Sequence, residues 1–292
     1  MKKTVNNHIL RIARDIKPFN VSWHITDRCN YNCQFCFRPV HGNELNLAKA
    51  KKVIDRLVEA GLKKISWSGG EPMLWKGIID LIEYTKSKGI ITMLITNGEL
   101  LTKRRLDRLE KCLDWLNLPL EGSNAKMNEL MTRKKGHFDR VIKLLERVKK
   151  KKIKLKINTV ASRLNKDDIE NIIPIIKDYR IKRWKLFQFY PVRWIGKRNM
   201  QLFALKESDF LRIKEVILPM IDKDKCMVVF ETNSDMDRSY FAIAPDAEVY
   251  VSHNYRDYFI GNLLKDDPKD IFNHPILDKV KYWERSRWLT RG

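Results

Sequence analysis

The sequence predicts an α/β protein: a partial (β/α)6 barrel of the TIM type, followed by an α+β extension. Three observations predict it. Six short apolar runs alternate with helical patterns across residues 19–190, the rhythm of parallel strands joined by crossover helices. No glycine-rich dinucleotide fingerprint follows the first run; a cysteine loop does, which favours an open or partial barrel with its site at the C-terminal ends of the strands. After Tyr190 the rhythm changes to a loop rich in Arg, Trp and Gly, one helical pattern and several short strands.

Each element follows from its period. Residues 1–18 form a basic segment in which Ile9, Leu10, Ile12, Ala13 and Ile16 suit a short packing helix; charges interrupt it and it has no signal-peptide core. Residues 21–26 read as the first strand, 47–60 as a helix, 64–67 as the second strand and 78–88 as a helix. A third strand, 90–96, ends in Asn97-Gly98, and a helix follows at 103–111. The fourth strand is 114–119. The helix at 138–151 sets Val141, Leu144, Leu145 and Val148 on one face. A fifth strand at 153–160, a helix at 166–178 and a sixth strand at 183–189 complete the barrel. The extension, 191–292, holds a helix near 207–220 and strands at 227–231, 240–244 and 248–252. It is expected to pack on the barrel.

Lys and Arg number 58 against 36 Asp and Glu, a net charge of +22. Such a balance suits anionic partners, although a lysine-rich composition alone also produces it. Lys49, Lys51, Lys52, Lys63 and Lys64 read as solvated helix faces. No apolar run approaches the roughly 20 residues that span a bilayer, so no membrane anchor is expected. Of five cysteines, three fall within eight residues, a metal-site pattern of a reducing cytoplasm rather than a disulfide framework. Cys112 and Cys226 read as buried thiols.

The first strand runs into Thr26-Asp-Arg-Cys29-Asn-Tyr-Asn-Cys33-Gln-Phe-Cys36. Thiolates spaced C-x3-C-x2-C on one loop suit three irons of a cubane cluster and leave the fourth iron open, as in a catalytic metal site. A Cys3His zinc using His24 or His41 is the weaker alternative, because zinc ligands usually come as spaced pairs. The loop, with Phe35 before its third cysteine, resembles the signature of the radical S-adenosylmethionine (SAM) superfamily. Ser68-Gly69-Gly70-Glu71-Pro72, after the second strand, is similar to that family's GGEP motif. The resemblance implies a [4Fe–4S] cluster on Cys29, Cys33 and Cys36. It also implies SAM held by Phe35, Gly69, Gly70, Glu71, Thr96, Asn97, Ser123 and Gln188, and an electron donor of the flavodoxin or ferredoxin type.

Only Cys226 follows Cys112, so thiolates cannot build a second cluster, which weighs against the peptide-maturing branch. In residues 152–158, alternation puts Lys154, Lys156 and Asn158 on one face and Ile153, Leu155 and Ile157 on the other. The next strand likewise pairs Arg183 with Lys185. Inside a barrel such cations need an anion, and converging Arg and Lys suit a polyphosphate. Lys156-Ile-Asn158, the run from Arg183 to Gln188 and the segment from Glu231 to Tyr240 resemble the viperin family of nucleotide dehydratases. That resemblance implies a nucleoside triphosphate (CTP, UTP or GTP) losing water to give a 3′-deoxy-3′,4′-didehydro nucleotide. Arg133, Lys156, Arg183 and Lys185 would hold phosphate and Asn158 the ribose. Tyr240 would be the hydrogen donor, with Lys156 and Tyr240 the catalytic candidates. DNA is not an expected partner. The alternative is a radical SAM enzyme acting on a peptide or a small anionic metabolite.

Overall fold

The computed structural model describes residues 19–38 and 42–286. The packing helix expected within 1–18, His41 and the basic end beyond 286 lie outside them. Six strands fall where the periodicity places them: β1 Asn20–His24, β2 Lys64–Ser68, β3 Ile91–Ile95, β4 Trp115–Pro119, β5 Lys154–Ala161 and β6 Arg183–Gln188. Each pairs in parallel with the next. The crossovers carry helices α1 Leu47–Glu59, α2 Ile78–Ser87, α3 Lys103–Leu109, α4 Ala125–Thr132, α5 His137–Val148 and α6 Ile173–Asp178. In α1 the buried residues are Ala50, Val53, Ile54 and Leu57, a stripe at helical spacing, and Asn46 caps the helix by accepting from Lys49 N. In α5 the stripe is Val141, Leu144, Leu145 and Val148, as expected. These stripes meet the outer side chains of the strands, where Trp23 and Trp67 touch with ring centroids 5.4 Å apart.

Beyond residue 190 come α7 Arg193–Arg198, α8 Met200–Phe203, α9 Glu207–Ile217, β7 Met227–Glu231, α10 Asn233–Met236, β8 Ala242–Ile243, β9 Glu248–His253, β10 Arg256–Asn262, α11 Pro268–Phe272 and α12 Lys279–Ser286. The strands of this region extend the same sheet at both ends. β7 adds in parallel to β6 and β8 in parallel to β1, and the β9–β10 hairpin continues outward from β8. Among the described residues the sheet order is β10-β9-β8-β1-β2-β3-β4-β5-β6-β7. Helix α12 bridges the two ends of the parallel run from β1 to β7. The Tyr282 hydroxyl donates to Asn20 O and accepts from Asn20 N at the start of β1, both at 3.0 Å. Arg285 Nη2 donates to Glu231 Oε2 at the end of β7, 2.6 Å away.

Several elements were not expected: α7, α8, α10, α11 and α12 beyond residue 190, and also α4 and β10. Helix α4 buries only Asn128, Met131 and Thr132, too weak an apolar stripe to announce itself. Strand β10 is an edge strand with an irregular register and an exposed Phe259. One reading is corrected. Lys64 is not on a solvated helix face: it opens β2, pairs with Asn20 and is 2% exposed.

Candidate active site

Strand side chains alternate between the helices and the barrel interior. On β5, Leu155 and Ile157 join the apolar core, whereas Lys156 and Asn158 line an interior cavity. On β6, Trp184 and Leu186 face the core and Arg183, Lys185 and Phe187 the cavity. On β2, Ile65 and Trp67 face out and Lys64, Ser66 and Ser68 in. Pairing sets Lys156 beside Arg183 and Asn158 beside Lys185. Helix α12 adds Arg285 to the wall.

Among the described residues no Asp or Glu lines this cavity. Glu231 answers its cations from β7, with Lys185 Nζ at 2.5 Å and Arg285 Nη2 at 2.6 Å. Burial pushes Lys64 and Lys156 well below the ordinary lysine range, and the neighbouring cations push the same way. Burial also takes Lys185 down to about 7, against the pull of Glu231, and Arg183 down to about 10. Burial alone would raise Glu231, but Arg285 and Lys185 hold its carboxyl below the usual range. The pocket is therefore short of negative charge. It also holds unmet polar atoms: His24 Nδ1 and Asn158 Oδ1 have no hydrogen-bond partner among the described residues. A polar, anionic ligand would satisfy both needs.

The cysteine loop lies at the C-terminal end of β1. Cys29, Cys33 and Cys36 are half-buried, and Phe35, Cys36 and Arg38 reach the cavity. Burial and mutual proximity raise the Cys29 and Cys33 thiols, so a thiolate there needs a metal to hold it. Among the described residues no three His, Cys, Asp or Glu side chains converge on one ion. Three thiols binding separate irons of a cubane need no such convergence, and the donor set fits a [4Fe–4S] cluster. His24, the zinc alternative's ligand, is buried in the barrel wall, where burial takes it down to about 3.

The turn after β2 is built against that loop. A Cβ on Gly69 would lie 2.3 Å from Thr26 O, and one on Gly70 2.1 Å from Arg28 O. Gly70 N donates to Thr26 O at 2.7 Å and Glu71 N to Arg28 O at 2.8 Å. The two glycines are thus required by the backbone of the cysteine loop itself. The buried Glu71 carboxylate accepts from Met73 N, Thr96 Oγ1 and Asn97 N at 3.0, 2.6 and 2.8 Å. That uses three of about four acceptor positions. Asn97 Nδ2 donates to Asn30 Oδ1 at 2.8 Å, tying the third strand end to the cysteine loop.

Other predicted residues are placed differently. Ser123 spends its N–H and hydroxyl on Asp168, at 2.7 and 2.6 Å. Gln188 donates to Leu205 O and accepts from Asn233 N, both at 2.9 Å, and so clamps two loops. Arg133 is exposed at the end of α4, apart from the interior cations. Tyr240 lines the cavity, with the Arg285 guanidinium 4.8 Å from its ring centroid. Lys64 and Arg285 are the residues missed. Alternation in Lys64-Ile-Ser66-Trp-Ser68 could have found the first; nothing local marks the second.

The family profile described as Radical SAM superfamily matches residues 23–174. A protein of Flammeovirga pacifica named S-adenosylmethionine-dependent nucleotide dehydratase is 30% identical over 91% of this chain and 93% of its own. A Methanosarcina barkeri protein named Fe-coproporphyrin III synthase is 26% identical, over 91% of this chain and 64% of its own. The crystal structure of Streptococcus suis SuiB bound to S-adenosylmethionine superposes with a TM-score of 0.73 at 18% identity, covering 97% of this chain and 72% of that one. This last likeness concerns the fold.

Proposed function

Since the chain belongs to the radical SAM superfamily, among relatives that include viperin-type nucleotide dehydratases, we propose that it dehydrates a ribonucleoside triphosphate: CTP, UTP or GTP. The observation that carries this reading is the interior of Lys64, Lys156, Arg183 and Lys185, lined by no carboxylate among the described residues and opening onto the cysteine loop and the Gly69 turn. When bound, the [4Fe–4S] cluster and SAM would supply a 5′-deoxyadenosyl radical that takes the ribose 4′ hydrogen; the 3′ hydroxyl would then leave as water on taking up a proton, and one electron from the external reductant would complete the 3′,4′ double bond.

In this reading Cys29, Cys33 and Cys36 hold the cluster. Phe35, Gly69, Gly70 and Glu71 form the SAM cradle, with Thr96 and Asn97 bracing Glu71. The four interior cations take the phosphates by charge-assisted bonds. Asn158, with an unmet carbonyl oxygen, accepts from a ribose hydroxyl. Tyr240 stands at the sugar as hydrogen donor. Ser123 and Gln188 brace the loops around the site, and Arg133 stays outside it.

The test is anaerobic reconstitution with a reductant. 5′-Deoxyadenosine should form when CTP, UTP or GTP is present and not otherwise. Cys29→Ala should lose iron, sulfide and all SAM cleavage. Lys156→Ala and Arg183→Ala should keep the cluster and lose the nucleotide dependence. If no nucleotide stimulates cleavage above background, the substrate assignment fails. The name of the archaeal relative favours a second reading, a small polycarboxylate metabolite, since the same cations suit carboxylates. Cleavage stimulated by such a compound and by no nucleotide would select it.

A further inference from the structure

The molecule has a larger hollow than the one that holds the motifs. At the opposite face, where the strands begin, a groove of about 720 Å³ opens to solvent, against about 270 Å³ for the interior cavity. Ligand sites commonly enclose roughly 300–1,000 Å³. The groove is floored by the first residue of each of five successive strands: Ile91, Trp115, Lys154, Arg183 and Met227. Its rim is made by the four loops that enter β4, β5, β6 and β7. Each brings lysine to the groove: Lys111, Lys152, Lys182, and Lys223 with Lys225. Two of the carboxylates there are already engaged. Asp114 is paired with Lys86 and Glu110 with Lys151, each at 2.7 Å.

Lysines spaced along one helix would be an ordinary solvated face. Here they arrive from four separate loops around one concavity that also presents a half-buried indole. Lys154 Nζ lies over the Trp115 ring, 5.4 Å from its centroid, so a cation covers one face of the indole and a base would meet its other face or its edge. Cations for phosphate beside an aromatic surface for a base is the chemistry that recognises nucleotides.

We propose that this groove is a second nucleotide site, which takes a nucleoside polyphosphate with its base against Trp115 and its phosphates among Lys152, Lys182 and Lys225. Arg183 lines both the groove and the interior cavity. Two occupants therefore draw on one guanidinium, and each weakens the binding of the other. Arg183 apart, the site stands on residues outside the proposed catalytic cavity and holds whether or not the substrate is a nucleotide.

Calorimetric titration of the reconstituted full chain with CTP, without reductant, tests it. The parent should bind two CTP per chain. Lys182→Ala/Lys225→Ala should bind one, and should keep its nucleotide-dependent SAM cleavage when reductant is supplied. Trp115→Ala should weaken CTP at the outer site about tenfold while leaving inorganic tripolyphosphate there unaffected. A single CTP per chain in the parent that persists in Lys182→Ala/Lys225→Ala, or two in the double lysine variant, overturns the site. Equal weakening of CTP and tripolyphosphate in Trp115→Ala overturns the placing of the base. Lys156→Ala should remove the interior CTP and keep the outer one. If it instead retains both, the substrate reading falls while the groove stands.

Discussion

Lys185 is held 2.5 Å from a carboxylate and still titrates at about 7, because burial outweighs its partner. Its charge is thus in play near neutrality. An arriving triphosphate favours the protonated form and raises this pKa, so binding at pH 8 should take up protons. Affinity should fall as pH rises above about 7, where the empty site loses its proton. Calorimetry at pH 8 in two buffers of different ionisation enthalpy measures the uptake; a zero result would refute the linkage. Lys64 makes a sharper case. Replacing it with Met removes a buried cation, so the ligand-free protein should melt no lower than the parent. Nucleotide affinity should drop about 10- to 100-fold, the worth of one charge-assisted bond. Unchanged affinity would place its ammonium elsewhere. Lys156, Arg183 and Lys185 were legible in the sequence because strand alternation exposes an inward face. Lys64 was not, because Lys63 and the lysines of α1 made it look like one more solvated charge.

At the scale of elements, the six core strands and most of their helices were legible from period alone, since parallel strands and amphipathic helices bury predictable faces. Helix α4 and strand β10 were not, because one buries mostly polar residues and the other lies at a sheet edge. The Gly69-Gly70 turn was found by motif, but the reason for its glycines was not visible. They admit the backbone carbonyls of Thr26 and Arg28, so two elements far apart in sequence fold as one unit. Gly70→Ala should therefore force the cysteine loop away, costing about 1–3 kcal/mol by overpacking, and should lower iron content after reconstitution. A variant with the parent's urea midpoint and full iron would contradict this account.

Over the whole molecule, the α/β class followed from rhythm, but the way α12 meets β1 and β7 did not. Tyr282 bonds to Asn20 across 262 positions, and Arg285 reaches Glu231 across 54; no local pattern encodes contacts of that range. Arg285→Ala should cost about 1–3 kcal/mol. That is less than the roughly 3–5 of a fully orphaned buried charge, since Lys185 still faces Glu231. Urea unfolding measures it, and a change near zero would show that α12 is held by Tyr282 and its apolar neighbours alone.

That bridging helix also imposes an order in time. Residues 20–188 contain the three cysteines and the four strand-borne cations, and in synthesis they leave the ribosome before residues 279–286. During that interval the interior lacks three of its lining residues, Tyr282, Arg285 and Ser286, and Glu231 faces Lys185 without its second cation.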